Sequence, residues 1–146
     1  MGPGQIEMVE VAPRDGLQNE KTLIETADKI ALIERAIAAG SRRIEVTSFV
    51  NPKAVPQMAD AEAVCEGLPE RNDVTFIGLV MNARGATRAL ATGRIDQLGA
   101  VAVSTDSFAM ANQGQTSDGS VDAAKEIIAL SQAAGKTGQV TIGASF

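Results

Sequence analysis

Short β-branched runs alternate along this chain with longer stretches whose apolar positions recur every three or four residues. Residues 6–11, with Met8, Val9 and Val11, read as a first strand that enters the turn-forming string Pro13-Arg14-Asp15-Gly16. Thr22 and Glu25 stand at the spacing of a capping box. Leu23, Thr26, Ile30, Ile33 and Ile37 then repeat in helical register up to Gly40. Residues 44–50 read as a second strand, and Asn51-Pro52 and Val55-Pro56 force an irregular loop after it, because each proline disfavours helical backbone in its predecessor. A short helix is expected over 58–66, a third strand over 74–80 and a helix over 83–91. A fourth strand over 98–104 leads into a polar, loop-like stretch at 106–117, then a helix over 121–134 and a fifth strand over 140–144.

Helical material in every interval between strands predicts a parallel sheet with right-handed crossovers. Two architectures accommodate it. A complete (β/α)8 barrel takes about 250 residues. The 146 residues present would then be an incomplete (β/α)8 TIM barrel, holding about the first four and a half βα units. An open, doubly wound five-stranded domain fits the length with nothing missing, but its dinucleotide fingerprint is absent, since residues 12–17 carry a single glycine. Periodicity alone leaves both open.

Composition narrows the chemistry more than the fold. The length suits one domain, and a net charge of -5 gives no electrostatic reason to expect nucleic acid or an anionic membrane as partner. No apolar run approaches the length of a membrane span, and Met1-Gly2-Pro3-Gly4 lacks a signal-like segment, so a cytoplasmic location is expected. The chain has no histidine and one cysteine, Cys65. Ser-His triads and histidine zinc sites are excluded within it, whereas oxygen-ligand sites for Mg2+ or Mn2+ are not.

The candidate chemistry gathers at the exits of the first two strands, where parallel α/β folds assemble their sites. Glu10 and Glu45 lie in otherwise apolar strands, which is costly unless each is paired or solvated. One reading is a structural ion pair with Arg14, Arg42 or Arg43, or simple exposure at the strand ends; the other is a functional site. In the same loop, Asp15 can offer oxygen to a hard cation and Arg14 can stabilise an oxyanion. Lys21 and Lys53 could meet phosphate or carboxylate, although lone surface lysines are common and solvation is the favoured explanation. Cys65, late in a short helix without a histidine, reads as packing rather than as a nucleophile.

The run Val9-Glu10-Val11-Ala12-Pro13-Arg14-Asp15-Gly16-Leu17-Gln18-Asn19-Glu20 resembles the opening of the hydroxymethylglutaryl-CoA lyase family. Ile44-Glu45-Val46-Thr47-Ser48-Phe49-Val50-Asn51-Pro52-Lys53, with Val55-Pro56-Gln57-Met58-Ala59-Asp60, is similar to that family's second-strand region. The resemblance covers nearly all of the chain and about the first half of a family member. It implies the barrel, with residues 1–146 forming the N-terminal part of one pyruvate-carboxyltransferase-like catalytic domain.

It further implies a metal-dependent lyase that cleaves 3-hydroxy-3-methylglutaryl-CoA into acetoacetate and acetyl-CoA, the chemistry of leucine degradation and ketone-body formation. By this resemblance Asp15 is a ligand to Mg2+ or Mn2+, Arg14 stabilises the enolate-like fragment, Glu45 is an acid beside the metal and Glu10 fixes the Arg14 loop. Lys21 and Asn112 match positions on the acyl-CoA side. Two metal-binding histidines, an asparagine ligand and a mobile cysteine are expected beyond Phe146. A related hydroxyacyl-CoA lyase or acyl-CoA-dependent synthase is the alternative enzyme. A non-catalytic binding or assembly module is the alternative of another class. The isolated chain is expected to be inactive and to self-associate through unclosed barrel edges, as a homo-oligomer or less regularly.

Overall fold

The computed structural model describes residue 4 and residues 6–145. Four parallel strands, β1 (Arg43–Ser48), β2 (Thr75–Leu79), β3 (Gln97–Val103) and β4 (Thr137–Gly143), form one sheet in the order β1-β2-β3-β4. Helix α1 (Thr26–Ala38) precedes β1, α2 (Ala61–Glu66) joins β1 to β2, and α3 (Ala83–Ala91) joins β2 to β3. Helices α4 (Asp106–Gln113) and α5 (Ser117–Ala133) connect β3 to β4. Each strand lies beside its predecessor, so right-handed crossovers stack the helices on a single face. A doubly wound sheet needs a reversal of strand order to cover both faces. These four strands contain none.

The strand side chains divide accordingly. Ile44, Val46, Phe76 and Leu98 point to the helical layer and pack with Ile33, Val64, Ala86 and Ile127 in one buried cluster. The opposite face is polar toward its amino end, where Arg43 donates to Glu7, Gln97 and Gln139 across the sheet. Its Nε is buried and finds no acceptor among the described residues.

Three expectations are corrected. Residues 6–11 do not form a strand but a single parallel bridge, in which Glu10 N–H donates to Arg43 O (2.9 Å) and Glu45 N–H to Glu10 O (2.8 Å). Ile6 and Met8 are exposed, so a β-prone sequence with a partner at only one point does not extend into a ladder. The capping box at Thr22 does not form: Glu25 is the N-cap, with no side-chain cap bond, because the backbone at 20–24 is held by Gln57 instead. The loop expected at 106–117 winds into α4, ended by Gly114 in the left-handed region at φ 67°, and the first turn of α5. Among the described residues, no helix is long and apolar enough to cross a membrane; Met1 to Pro3, part of the leader argument, lie outside them.

Candidate functional site

Val11 is followed by a single π-helical turn, Ala12–Gly16, with Pro13 near its start and the amides of Asp15 and Gly16 both directed at Val11 O. Such wide turns occur often at functional sites. Glu10 helps to set this one, since its Oε1 accepts the Ala12 N–H at 2.8 Å. The bridge between Glu10 and Ile44 runs parallel to β1, which places the turn toward the carboxyl end of the sheet.

Arg14 reaches from the turn onto β1. Its Nε donates to Glu45 Oε1, and its Nη1 donates to Asp15 Oδ1 at 2.7 Å. The guanidinium thus bridges one carboxylate side chain that is 4 % exposed and another that is 60 % exposed. Glu45 projects from the sheet face opposite the helices, and a Cβ on Gly99 would lie 3.7 Å from its Oε2. A glycine in β3 therefore leaves room beside a buried acid. Of the two readings drawn from the sequence, the ion pair exists and its cation is Arg14; Arg42 and Arg43 pair with Asp73 and Glu7 instead.

The structure brings Arg14, Asp15 and Glu45 together, while the Glu10 side chain holds the turn through the Ala12 N–H. Lys21 stands apart, exposed on the rim of a cleft of about 320 Å³ formed by residues 18–21, Leu23 and residues 54–57. Asn112 is exposed on α4, and no hydrogen bond or ion pair links it to the Arg14 cluster. Lys53 is likewise exposed. As for a cation, Asp15 supplies a solvent-facing oxygen of the hard type that Mg2+ or Mn2+ prefers. The residues fit one corner of such a site: among the described residues no three His, Cys, Asp or Glu side chains converge.

The sequence reading missed a second polar group, on α1 and the 57–60 segment. Lys29, 3 % exposed, donates to Asp60 Oδ1 at 2.7 Å and to the Gln57 carbonyl. The detectable signal was a lysine four residues before Ile33, on the stripe that α1 buries. Cys65 is fully buried in α2, and burial pushes its thiol up to about 12. A raised thiol stays neutral below its unfolded value near 9, and stability falls only as pH climbs from there toward 12. At pH 8 its thiolate fraction is on the order of 10⁻⁴. A colourimetric thiol reagent should therefore register no reaction until denaturant is added; prompt stoichiometric labelling of the native chain would contradict inert packing.

The arginine–carboxylate cluster stands at the carboxyl end of a sequential parallel sheet, and known proteins share this α/β arrangement. The chain is 46% identical over 110 residues to a 3-hydroxy-3-isohexenylglutaryl-CoA/hydroxymethylglutaryl-CoA lyase of Pseudomonas aeruginosa, covering 75% of this chain and 36% of that protein. It is 40% identical over 157 aligned positions to an (R)-citramalyl-CoA lyase of Chloroflexus aurantiacus, covering 97% and 47%. Among solved structures, a hydroxymethylglutaryl-CoA lyase of P. aeruginosa superposes with a TM-score of 0.88 at 37% identity, over 96% of this chain and 46% of that one. An HMG-CoA lyase of Acinetobacter baumannii in complex with coenzyme A and 3-methylmalate gives 0.85 at 36%, over 92% and 43%. No family model matches. The chain is similar to hydroxymethylglutaryl-CoA lyases over most of its length and spans less than half the length of these relatives.

Proposed function

We propose that the chain is the N-terminal part of a (β/α)8-barrel catalytic domain that cleaves 3-hydroxy-3-methylglutaryl-CoA to acetoacetate and acetyl-CoA. The observation that carries this reading is the Arg14 guanidinium held between Glu45 and Asp15 at the carboxyl end of a parallel sheet. In the cleavage the tertiary hydroxyl loses its proton, the bond between C2 and C3 breaks, and the electron pair passes to the thioester as an enolate that is then protonated to acetyl-CoA. Arg14 faces the growing negative charge, where a fixed cation does most for the rate. Glu45 fixes the guanidinium from behind, and Glu10 fixes the turn that carries it. Asp15 would hold a divalent cation together with ligands from outside this chain; such a cation, when bound, acidifies the substrate hydroxyl. Lys21 and Asn112 would serve the acyl-CoA side. A cytoplasmic location belongs to the same proposal.

The citramalyl-CoA relative, aligned over nearly the whole chain, supports a second substrate of the same chemical class. A chimera in which residues 1–146 replace the matching part of the P. aeruginosa relative tests both. Metal-dependent release of acetoacetate from 3-hydroxy-3-methylglutaryl-CoA is expected; turnover of (R)-citramalyl-CoA alone would transfer the assignment to the second substrate. In the same chimera Asp15→Asn should weaken Mn2+ binding by at least about tenfold, because it removes an anionic ligand. Unchanged affinity on calorimetric titration would reject Asp15 as a ligand.

A further inference from the structure

The Val55-Pro56-Gln57-Met58-Ala59-Asp60 string has no part in the proposed bond-breaking step, yet its Gln57 and Asp60 side chains bond to the segment 20–29. Pro56–Met58 forms a 3-10 turn that buries Gln57, which is 3 % exposed. The Gln57 side chain then acts as a surrogate strand for the irregular segment opposite. Its Oε1 accepts the Ile24 N–H at 2.9 Å, and its Nε2 donates to Thr22 O at 2.9 Å and to Glu20 O at 3.4 Å. Lys29 donates from α1 to the Gln57 carbonyl and to Asp60 Oδ1, while Thr26 Oγ1 donates to Asp60 Oδ2 at 2.7 Å.

A buried ammonium is a costly way to fill space, since an apolar side chain of similar volume does so without desolvating a charge. What the charge accomplishes here is geometric. The backbone groups at 20, 22 and 24 have no strand or helix to satisfy them, and Lys29 and Asp60 fix the turn whose glutamine does so. The tethered segment carries Lys21 and forms one wall of the 320 Å³ cleft, whose other wall is residues 54–57. Both walls are thus tied to the same clamp. Polar support behind the groups that touch a ligand holds them within the narrow tolerance that binding needs.

We propose that Lys29, Gln57 and Asp60 are positioning residues, a buried clamp that holds the 17–25 loop and presents Lys21 at the cleft in a ligand-ready position. The proposal rests on the acyl-CoA reading for the identity of the ligand, an anionic group of coenzyme A, and on the contacts above for the clamp itself.

Two readouts on the chimera that carries residues 1–146 test it. Hydrogen exchange, followed by mass spectrometry, should show the amides of residues 17–25 exchanging at least about tenfold faster in Lys29→Met and in Asp60→Asn, with those of β1 to β3 unchanged. Lys29→Met keeps the buried stem, so it separates loss of the clamp from loss of packing. Binding of free coenzyme A, measured by calorimetry, should weaken about tenfold in both variants and by a similar factor in Lys21→Ala, which leaves loop exchange as it was. Exchange that stays constant in the loop, or rises equally across the sheet, would overturn the clamp. Coenzyme A affinity that survives a loosened loop would overturn its positioning role. If the unsubstituted chimera fails to bind coenzyme A, the acyl-CoA reading falls instead, and the exchange result alone decides whether the clamp holds.

Discussion

Arg14→Ala should destabilise the chain by about 3–5 kcal/mol, the usual cost of leaving one member of a buried ion pair without its partner. The side chains are 16 % exposed for Arg14 and 4 % for Glu45, so water cannot take over the guanidinium's role toward the acid. Two further variants separate structure from chemistry. The double replacement Arg14→Leu with Glu45→Leu removes both charges at once and should recover most of the lost stability, since apolar pairs of similar volume match or exceed a buried ion pair. Arg14→Lys keeps a positive charge beside Glu45 but has no planar fork to span Glu45 and Asp15 together. Its stability loss should be about 1–2 kcal/mol, with turnover in the chimera reduced by at least about a hundredfold. Denaturant titration and steady-state kinetics on the three variants provide the measurements. Equal, small stability losses in Arg14→Ala and the double variant would show that Glu45 gains nothing from the pair. Full turnover in Arg14→Lys would remove the guanidinium from the reaction.

Ion pair and site are alternative explanations of Glu45 in the sequence; the structure shows the ion pair, and the proposed site would use the same arrangement. Glu45 could be seen to need a partner because a carboxylate stood in an apolar strand. Which of three nearby arginines it would choose depended on the π-helical turn at Ala12–Gly16, which no apolar period announces. The same limit explains α4. Asp106–Gln113 carries its apolar residues in one consecutive run, 108–111, with no helical period and only Ala109 buried, and Asp106 Oδ1 accepts the Ser117 N–H at 2.7 Å. By contrast α1, α3 and α5, and strands β1 to β3, follow from apolar period and β-branched content, because those elements are held by the one core that the pattern describes. Lys29 was hidden by the opposite error. A lysine on an apolar stripe was read past, when its position alone, four residues before Ile33, required a buried acceptor somewhere in the chain.

The second large effect concerns association. Strand β4 pairs only with β3 among the described residues, and its seven residues leave their other side as a row of unpaired N–H and C=O groups. The side chains add to the hazard. Val140 and Ile142 lie in register with Ala100 and Ala102, on the helix-bearing face, yet they remain 45% and 66% exposed because no helix beyond α5 covers them. Beside them Ala102, Val121, Ala124, Ile128 and Val140 line an apolar groove of about 340 Å³. An open parallel edge next to uncovered apolar surface is the combination that soluble proteins avoid, because strand addition and apolar burial then reinforce each other. The chain by itself should therefore associate, its light-scattering molar mass rising by roughly twofold or more across a concentration series. Lysines at both exposed positions, Val140→Lys with Ile142→Lys, should return it to monomer mass, since each places a charge where an added copy would have to desolvate it. The core of α1, β1 and β2 lies two strands away and should keep its far-ultraviolet circular dichroism in that variant. A wild-type mass that stays monomeric at every concentration would show that the edge is protected in solution. An oligomer that persists in the double-lysine variant would place the contact elsewhere, with the exposed Phe108 and Met110 of α4 as the next surface to change.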